Sequence, residues 1–182
     1  MKNIKNSPLK NKLKPSRTFI AERLEEPFDS VLEVGCQWGE NLLAIQQLYK
    51  GKRLVGADID KEKLKVARKD TKGIKFVDAN LFNLPFARDE FDIVFTNALF
   101  CMLRPVDVEE GIRQIIKFAG KKIYMIELMK NGIGYVGGGR TGADFVAIFR
   151  NYCIEAKCEK LGSDVFGCEP WNTYGYFIEV DL

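Results

Sequence analysis

One segment of the sequence combines an acidic residue with two glycines in a pattern that can hold a small ligand. Positions 31–42 have the sequence VLEVGCQWGENL, in which an apolar run carries Glu33 near its end and a turn opens a predicted helix. Gly35 allows a tight turn with unusual backbone angles, and Gly39 lets the helix approach a ligand closely. The N-terminus of that helix would offer free N–H groups to an anionic end of the ligand.

The charge of Glu33 favours one of two ligand classes over the other. A carboxylate beside the turn would repel a pyrophosphate, whereas it suits a ligand that carries an ammonium and a sulfonium, directly or through water. The spacing of Gly35 and Gly39 also differs from the G-x-G-x-x-G pattern of dinucleotide enzymes. An oxidoreductase that binds a nicotinamide dinucleotide is therefore the less favoured hypothesis. A role for Glu33 as a simple helix cap stays open.

Two further acidic residues end the next apolar runs. Asp58 lies 19 positions beyond Gly39, where a carboxylate can accept hydrogen bonds from two ribose hydroxyls. Asp78 could accept from an adenine amino group, and the backbone N–H of Ala79 could serve the ring nitrogen. The alternatives are a solvated turn for Asp58, with Asp60 as ribose ligand or helix cap, and an ordinary loop acid at position 78. Open α/β sheets bind ligands at the carboxyl ends of their strands, which favours the ligand site.

Short apolar runs alternate with segments of helical periodicity along most of the chain. This alternation predicts a mostly parallel sheet that is covered by helices on both faces. The last two runs have no helix between them, which predicts an antiparallel hairpin at one edge. The predicted strands are 30–34, 53–57, 74–77, 91–96, 122–128, 153–161 and 174–180, and the predicted helices are 16–26, 40–49, 61–69, 108–118 and 143–151.

Composition limits the class of protein. A chain of 182 residues that is 46% hydrophobic and 29% charged predicts one soluble globular domain, at 16–182. Residues 1–15 carry five lysines and no acid, and are expected to form a flexible basic tail. The sequence shows no signal peptide and no apolar run long enough for a membrane helix, so we expect a cytoplasmic protein without a membrane partner. It has no histidine, and none of its five cysteines forms a C-x-x-C pair, so no metal site is expected.

The glycine turn and the acidic strand ends together resemble motifs I, II and III of the class I S-adenosylmethionine-dependent methyltransferases. Positions 83–94, with the sequence NLPFARDEFDIV, resemble a stretch of the type 11 small-molecule subgroup. The resemblance extends over residues 28–128. It implies a single Rossmann-like three-layer α/β domain with a seven-stranded, mostly parallel sheet in the order 3-2-1-4-5-7-6, strand 7 being antiparallel. It also implies S-adenosyl-L-methionine as the cofactor.

The same resemblance implies a role for each cofactor residue. Gln37 departs from motif I, which often has glycine there, and its side chain could narrow the loop or contact the methionine moiety. The implied contacts are Glu33, Gly35 and Gly39 for the methionine end, Asp58 for the ribose, Asp78 and Ala79 for the adenine, and Asn97, just past strand four, for the sulfonium.

Methyl transfer from a sulfonium depends mainly on alignment of the acceptor with the methyl group. A base is needed only if the acceptor is protonated. The candidates are Glu127, Asp144 and Tyr135, of which Glu127 is predicted to end strand five and face the cleft, or else to pair with a lysine or arginine. The glycine-rich segment 131–144 could form a mobile lid in which Tyr135 and Arg140 bind an anionic or hydroxylated acceptor. The alternative is a surface connection that caps the next helix with Thr141 or Gly142.

The acceptor itself is constrained by absent signatures. Strand four is not followed by the Asn/Asp-Pro-Pro-Tyr/Phe signature of base methylation, and Cys101 lacks the preceding proline of a cytosine-methylating nucleophile. These absences favour a small-molecule acceptor over a nucleic acid. The order Arg-Thr-Gly-x-Asp at 140–144 is similar to that of methyltransferases from glycan-modification clusters, so a sugar or glycan precursor is one candidate. A catalytically silent binding module and an RNA-directed enzyme are the alternatives.

Overall fold

A seven-stranded sheet forms the centre of the computed structural model, which describes residues 13–182. Its strands are β1 (Ser30–Val34), β2 (Arg53–Asp58), β3 (Lys75–Asp78), β4 (Phe91–Asn97), β5 (Ala119–Leu128), β8 (Ala156–Lys160) and β9 (Gly175–Asp181). Their order is β3-β2-β1-β4-β5-β9-β8, in which β1 to β5 are parallel and β9 is antiparallel to both of its neighbours.

The predicted sheet order is confirmed. Strands β8 and β9 are the predicted strands 6 and 7, and they pair antiparallel at the edge of the sheet. The central strands carry apolar side chains on both faces; for example, Val31 and Leu32 of β1 are fully buried in two different clusters. Such two-sided burial is what places a strand in the middle of a parallel sheet.

Helices cover both faces of the sheet and complete the expected three layers. The helices are α1 (Pro15–Thr18), α2 (Glu40–Leu48), α3 (Lys61–Asp70), α4 (Val108–Phe118), α5 (Phe145–Arg150) and α6 (Trp171–Tyr174). One core cluster contains residues of α2, of α3 and of the segment just after α1, and the other contains residues of α4 and α5.

Three predicted elements differ from the structure near the chain ends. The helix predicted at 16–26 is confined to α1, because the turns that follow bury the successive residues Phe19, Ile20 and Ala21 rather than one helical face. The helix predicted at 143–151 begins only at Phe145, and the strand predicted at 153–161 is limited to β8. Most of the predicted basic tail, residues 1–12, lies outside the described residues.

A second, two-stranded sheet occupies the glycine-rich segment after β5. Strands β6 (Ile133–Gly137) and β7 (Arg140–Ala143) form an antiparallel hairpin, where the sequence had predicted a loop. Gly137, Gly138 and Gly139 all have positive φ angles at its tip, a conformation that favours glycine. Within residues 13–182, no helix has both the length and the apolar character needed to cross a bilayer.

Candidate functional site

The carboxyl ends of strands β1 to β4 surround a cavity of about 130 Å³. The glycine turn after β1 contributes Gly35, β2 contributes Asp58, and the segment after β3 contributes Ala79. The segment at residues 98–103, which we call the β4 loop, contributes Leu99 and Leu103. The structure thus brings Gly35, Asp58 and Ala79, which the sequence analysis assigned to one ligand site, around one cavity.

The backbone of the glycine turn requires its two glycines. Gly35 and Gly39 have φ angles of 80° and 74°. A Cβ at Gly39 would lie 2.7 Å from the ring of Phe76, and one at Gly35 would lie 3.0 Å from Leu99. Gln37 has a φ angle of 49°, so the residue that replaces a common motif I glycine does adopt the left-handed conformation. This conformation is unfavourable for glutamine and needs support from neighbouring contacts.

Asp58 supplies part of that support. Its carboxylate accepts hydrogen bonds from the backbone N–H of Gln37 and of Asp60, each at 2.8 Å. Asp60 instead caps α3 by accepting from the N–H groups of Glu62 and Lys63, and the bond from Lys63 helps to hold its pKa below the ordinary value. A carboxylate has about four acceptor positions, so Asp58 retains capacity for ribose hydroxyls.

A buried polar network lies behind the glycine turn. Glu33 is fully buried and accepts a hydrogen bond from Asn41, whose side-chain oxygen in turn accepts one from Asn97, the last residue of β4. Asn97 also donates to the carbonyl of Ser16 at 2.7 Å. One oxygen of Glu33 and the side-chain oxygen of Asn97 are buried without a donor among the described residues. Burial raises the pKa of Glu33 to about 8.

This network fits the methionine end of the expected cofactor. Buried acceptors normally have hydrogen-bond partners, so two acceptors without donors indicate a missing donor group. An ammonium group can supply three N–H donors together with a positive charge, and it would also favour the ionised form of Glu33.

Arg17 lies beside the glycine turn, although the sequence analysis did not select it. Its guanidinium forms an ion pair with Glu40 at 3.1 Å and contacts the side-chain oxygen of Gln37 at 3.5 Å, beside the N-terminus of α2. Its charge also moderates the raised pKa of Glu33. The sequence offered no signal for this position, because Arg17 belonged to a predicted helix without a motif.

The backbone of Ala79 differs from its predicted role. The N–H of Ala79 donates to the carbonyl of Asp58 at 3.1 Å, so it is not free to serve a ring nitrogen, and Ala79 only lines the cavity. Asp78 is partly exposed and pairs with Lys61 at 3.2 Å. Ile59 and Phe82 also line the cavity, although sequence reasoning did not select them. An apolar residue between two aspartates, as at position 59, is a sequence signal from which Ile59 could have been predicted.

Glu127 does not face the cleft as predicted. It is fully buried near the end of β5, and its carboxylate accepts hydrogen bonds from the Thr96 hydroxyl and from the N–H groups of Leu99 and Cys101. No ion pair with a lysine or arginine is found for it within residues 13–182. Burial raises its pKa to about 7. The carboxylate is surrounded by backbone and hydroxyl donors, and it does not line the cavity.

The β6–β7 hairpin lies against the β4 loop. The hydroxyl of Thr141 donates to the carbonyl of Leu103 at 2.6 Å, and the guanidinium of Arg140 contacts the sulfur of Met102. Tyr135 is exposed on β6. The predicted caps Thr141 and Gly142 are replaced by Asp144, which accepts from the N–H of Ala147 and so begins α5.

The family of the chain follows from its sequence and its sheet. Residues 31–120 match the family model described as a methyltransferase domain. The chain therefore carries a methyltransferase domain, and its sheet has the strand order of the class I S-adenosylmethionine-dependent methyltransferase fold. S-adenosylmethionine is accordingly its cofactor. No curated protein sequence matches the chain.

Solved structures share this fold at low sequence identity. The Burkholderia thailandensis 1,6-didemethyltoxoflavin-N1-methyltransferase, solved with 1,6-didemethyltoxoflavin and S-adenosylhomocysteine, is 15% identical; the match covers 92% of this chain and 76% of that one, with a TM-score of 0.67. The plantazolicin methyltransferase BpumL, solved with a triazolic desmethylPZN analog and SAH, is 13% identical, with coverages of 98% and 89% and a TM-score of 0.71. A SAM-dependent methyltransferase from Aquifex aeolicus is 14% identical, with coverages of 97% and 94% and a TM-score of 0.67.

Proposed function

We propose that this methyltransferase modifies a small molecule that enters between the β4 loop and the β6–β7 hairpin, beside a cofactor held at the ends of β1 to β4. The observation that carries the proposal is the pair of buried acceptors without donors, on Glu33 and Asn97, next to the glycine turn. They would hold the methionine end beside the glycine turn, and the reacting methyl group would then lie near the β4 loop, which directly follows Asn97.

The remaining cofactor contacts follow from the geometry of the site. Glu33 and Asn97 would bind the ammonium group, while Arg17 and the N-terminus of α2 would bind the carboxylate. Gly35, Gly39 and Gln37 would shape the turn around the methionine moiety. The nucleoside would take the other end of the cavity, with Asp58 on the ribose and with Asp78, Ala79, Ile59 and Phe82 around the adenine.

The acceptor side combines apolar surface with the guanidinium of Arg140. Met102, Val106 and Tyr135 are between 63% and 80% exposed, although large apolar side chains are usually buried. Arg140 contacts the sulfurs of Met102 and Cys101, and no ion pair with a carboxylate is found for it in the described part of the chain. A planar guanidinium of this kind suits a carboxylate or phosphate. We therefore expect an acceptor with an apolar body and an anionic group, a class that includes phosphorylated glycan precursors with a lipid part.

The bound cofactor supplies a methyl group on a sulfonium, whose departure leaves a neutral thioether. The carboxylates of Glu127 and Asp144 are both engaged with backbone N–H groups, so neither is placed as a general base. Alignment of an already nucleophilic acceptor is therefore expected to supply most of the rate. The small-molecule ligand in the Burkholderia structure is consistent with this acceptor class.

Transfer of a labelled methyl group tests the proposal. Purified protein incubated with methyl-labelled S-adenosylmethionine and a cell extract should place the label in the small-molecule fraction. Label in RNA would contradict the proposed acceptor class. Cofactor binding with no transfer to any fraction would instead favour a silent binding module.

Arg140→Ala should weaken binding of the acceptor and leave binding of the cofactor almost unchanged. Loss of a hydrogen-bonded ion pair costs about 1–3 kcal/mol, so we expect the acceptor KM to rise about tenfold or more. Cofactor affinity should stay within about threefold, because Arg140 does not line the cofactor cavity. Arg113→Ala on α4 is the matched control, since Arg113 is also exposed and its one ion pair within residues 13–182 is with Glu110 of the same helix. Equal effects of the two substitutions would exclude the proposed acceptor side.

A further inference from the structure

The buried carboxylate of Glu127 holds a segment that contacts both sides of the site. One of its oxygens accepts from the Thr96 hydroxyl and the Leu99 N–H, both at 2.9 Å, and the other accepts from the Cys101 N–H at 3.3 Å. The two N–H groups belong to the β4 loop, which lies outside any strand. Glu127 therefore gives this loop hydrogen bonds that the sheet does not provide.

The β4 loop needs such an acceptor because its path is unfavourable. Ala98 has a φ angle of 60°, in the left-handed region that alanine rarely adopts. The N–H groups of Leu99 and Cys101 point towards the fully buried carboxylate of Glu127, and backbone donors at such a position need an acceptor. A carboxylate has an acceptor at each oxygen, whereas a glutamine side chain has an acceptor at only one of the two positions.

The β4 loop lies between the cofactor cavity and the hairpin. On the cavity side, the side chain of Leu99 lies over Gly35 so closely that a Cβ there would come within 3.0 Å of it. On the hairpin side, the carbonyl of Leu103 accepts from the Thr141 hydroxyl at 2.6 Å. A shift of the β4 loop would therefore change two contacts together: the cavity wall that Leu99 forms, and the hydrogen bond that joins Leu103 to the hairpin.

We infer that Glu127 is a positioning residue of this enzyme, which fixes the β4 loop so that Leu99 closes the cofactor cavity and Leu103 supports the hairpin. This inference rests on the proposed function, since it takes the cavity as the cofactor site. It gives Glu127 no contact with the reacting atoms.

The substitution Glu127→Gln tests this role against a matched control. Asp92 at the opposite end of β4 also accepts from two backbone N–H groups, those of Asp29 and Ser30, but it lies away from the cavity. At a temperature where all proteins are folded, Glu127→Gln should weaken S-adenosylhomocysteine binding about tenfold, the effect of one lost buried hydrogen bond. Asp92→Asn should lower Tm and leave this affinity unchanged.

Amide hydrogen exchange supplies the second measurement. In the wild-type protein the amides of Leu99 and Cys101 should be protected, and Glu127→Gln should speed their exchange at least tenfold while Asp92→Asn does not. Glu127→Asp keeps the charge but has a shorter side chain, so it should weaken S-adenosylhomocysteine binding at least fivefold. This variant tests the positioning role if Glu127→Gln does not fold.

Two results would overturn this inference. One is wild-type affinity in a folded Glu127→Gln or Glu127→Asp variant, and the other is an equal loss of affinity in Asp92→Asn. Failure of the wild-type protein itself to bind S-adenosylhomocysteine would instead contradict the proposed cofactor site.

Discussion

Replacing Glu33 with glutamine is expected to stabilise the cofactor-free protein at pH 8 and to weaken cofactor binding. Burial raises the pKa of Glu33 from 4.5 to about 8, so the folded state binds this proton more tightly than the unfolded state does. The stability that the neutral form contributes is therefore fully present below pH 4.5 and is lost as the pH rises through 8. Glutamine is neutral at every pH and avoids this loss.

The difference should be measurable by urea unfolding at two pH values. Between pH 5 and pH 8, the free energy of unfolding of Glu33→Gln relative to wild type should rise by on the order of 2–4 kcal/mol, at about 1.36 kcal/mol per pKa unit. Affinity for S-adenosylmethionine should fall about tenfold or more, because the ammonium group loses its counter-charge. Glu109→Gln, at an exposed position on α4, should show neither effect. If the free energy of unfolding of Glu33→Gln relative to wild type did not change with pH, the raised pKa of the buried Glu33 carboxyl would be contradicted.

Replacing Asp58 with alanine is expected to weaken cofactor binding by about 2–4 kcal/mol, since bonds to a charged group contribute about 1.5–3 kcal/mol each and water can enter the gap. The same change leaves the N–H groups of Gln37 and Asp60 without their acceptor, so the glycine turn should also loosen. Calorimetric titration with S-adenosylhomocysteine would measure the loss of affinity.

Asp60→Ala is the control for the Asp58 variant, because Asp60 lies only two positions further along the chain. It should cost about 1 kcal/mol of stability through the lost cap of α3 and leave the affinity almost unchanged. The reverse outcome, with Asp60→Ala harmful to binding and Asp58→Ala harmless, would move the ribose contact to Asp60.

The sequence predicted the central sheet well because the sheet depends on local patterns. The bounds of β1 and α4 agree with the prediction residue for residue, since apolar runs and helical periodicity are both visible along the chain. The β6–β7 hairpin was missed because its two strands are short and rich in glycine, which normally indicates a loop. Its stability depends on packing against the β4 loop, which lies about 40 positions earlier in the sequence and leaves no local pattern.

In the candidate site, as in the fold, the sequence predicted the features that depend on neighbouring residues and missed those that depend on distant ones. The acids at the ends of β1, β2 and β3 could be found because strand ends are local features. The environment of Glu127 could not be found, because its partners are mainly backbone N–H groups of a distant loop, which have no sequence signature. Arg17 was missed for a related reason, since only the packing of α1 on α2 brings it to the glycine turn.

Calorimetric titration of the wild-type protein with S-adenosylhomocysteine and with NAD tests the central claim most directly. The buried acceptors on Glu33 and Asn97 and the carboxylate of Asp58 beside the glycine turn predict one S-adenosylhomocysteine bound per chain and no measurable heat with NAD. Binding of NAD in preference to S-adenosylhomocysteine by the folded protein would contradict the assignment of this cavity as a methyl-donor site.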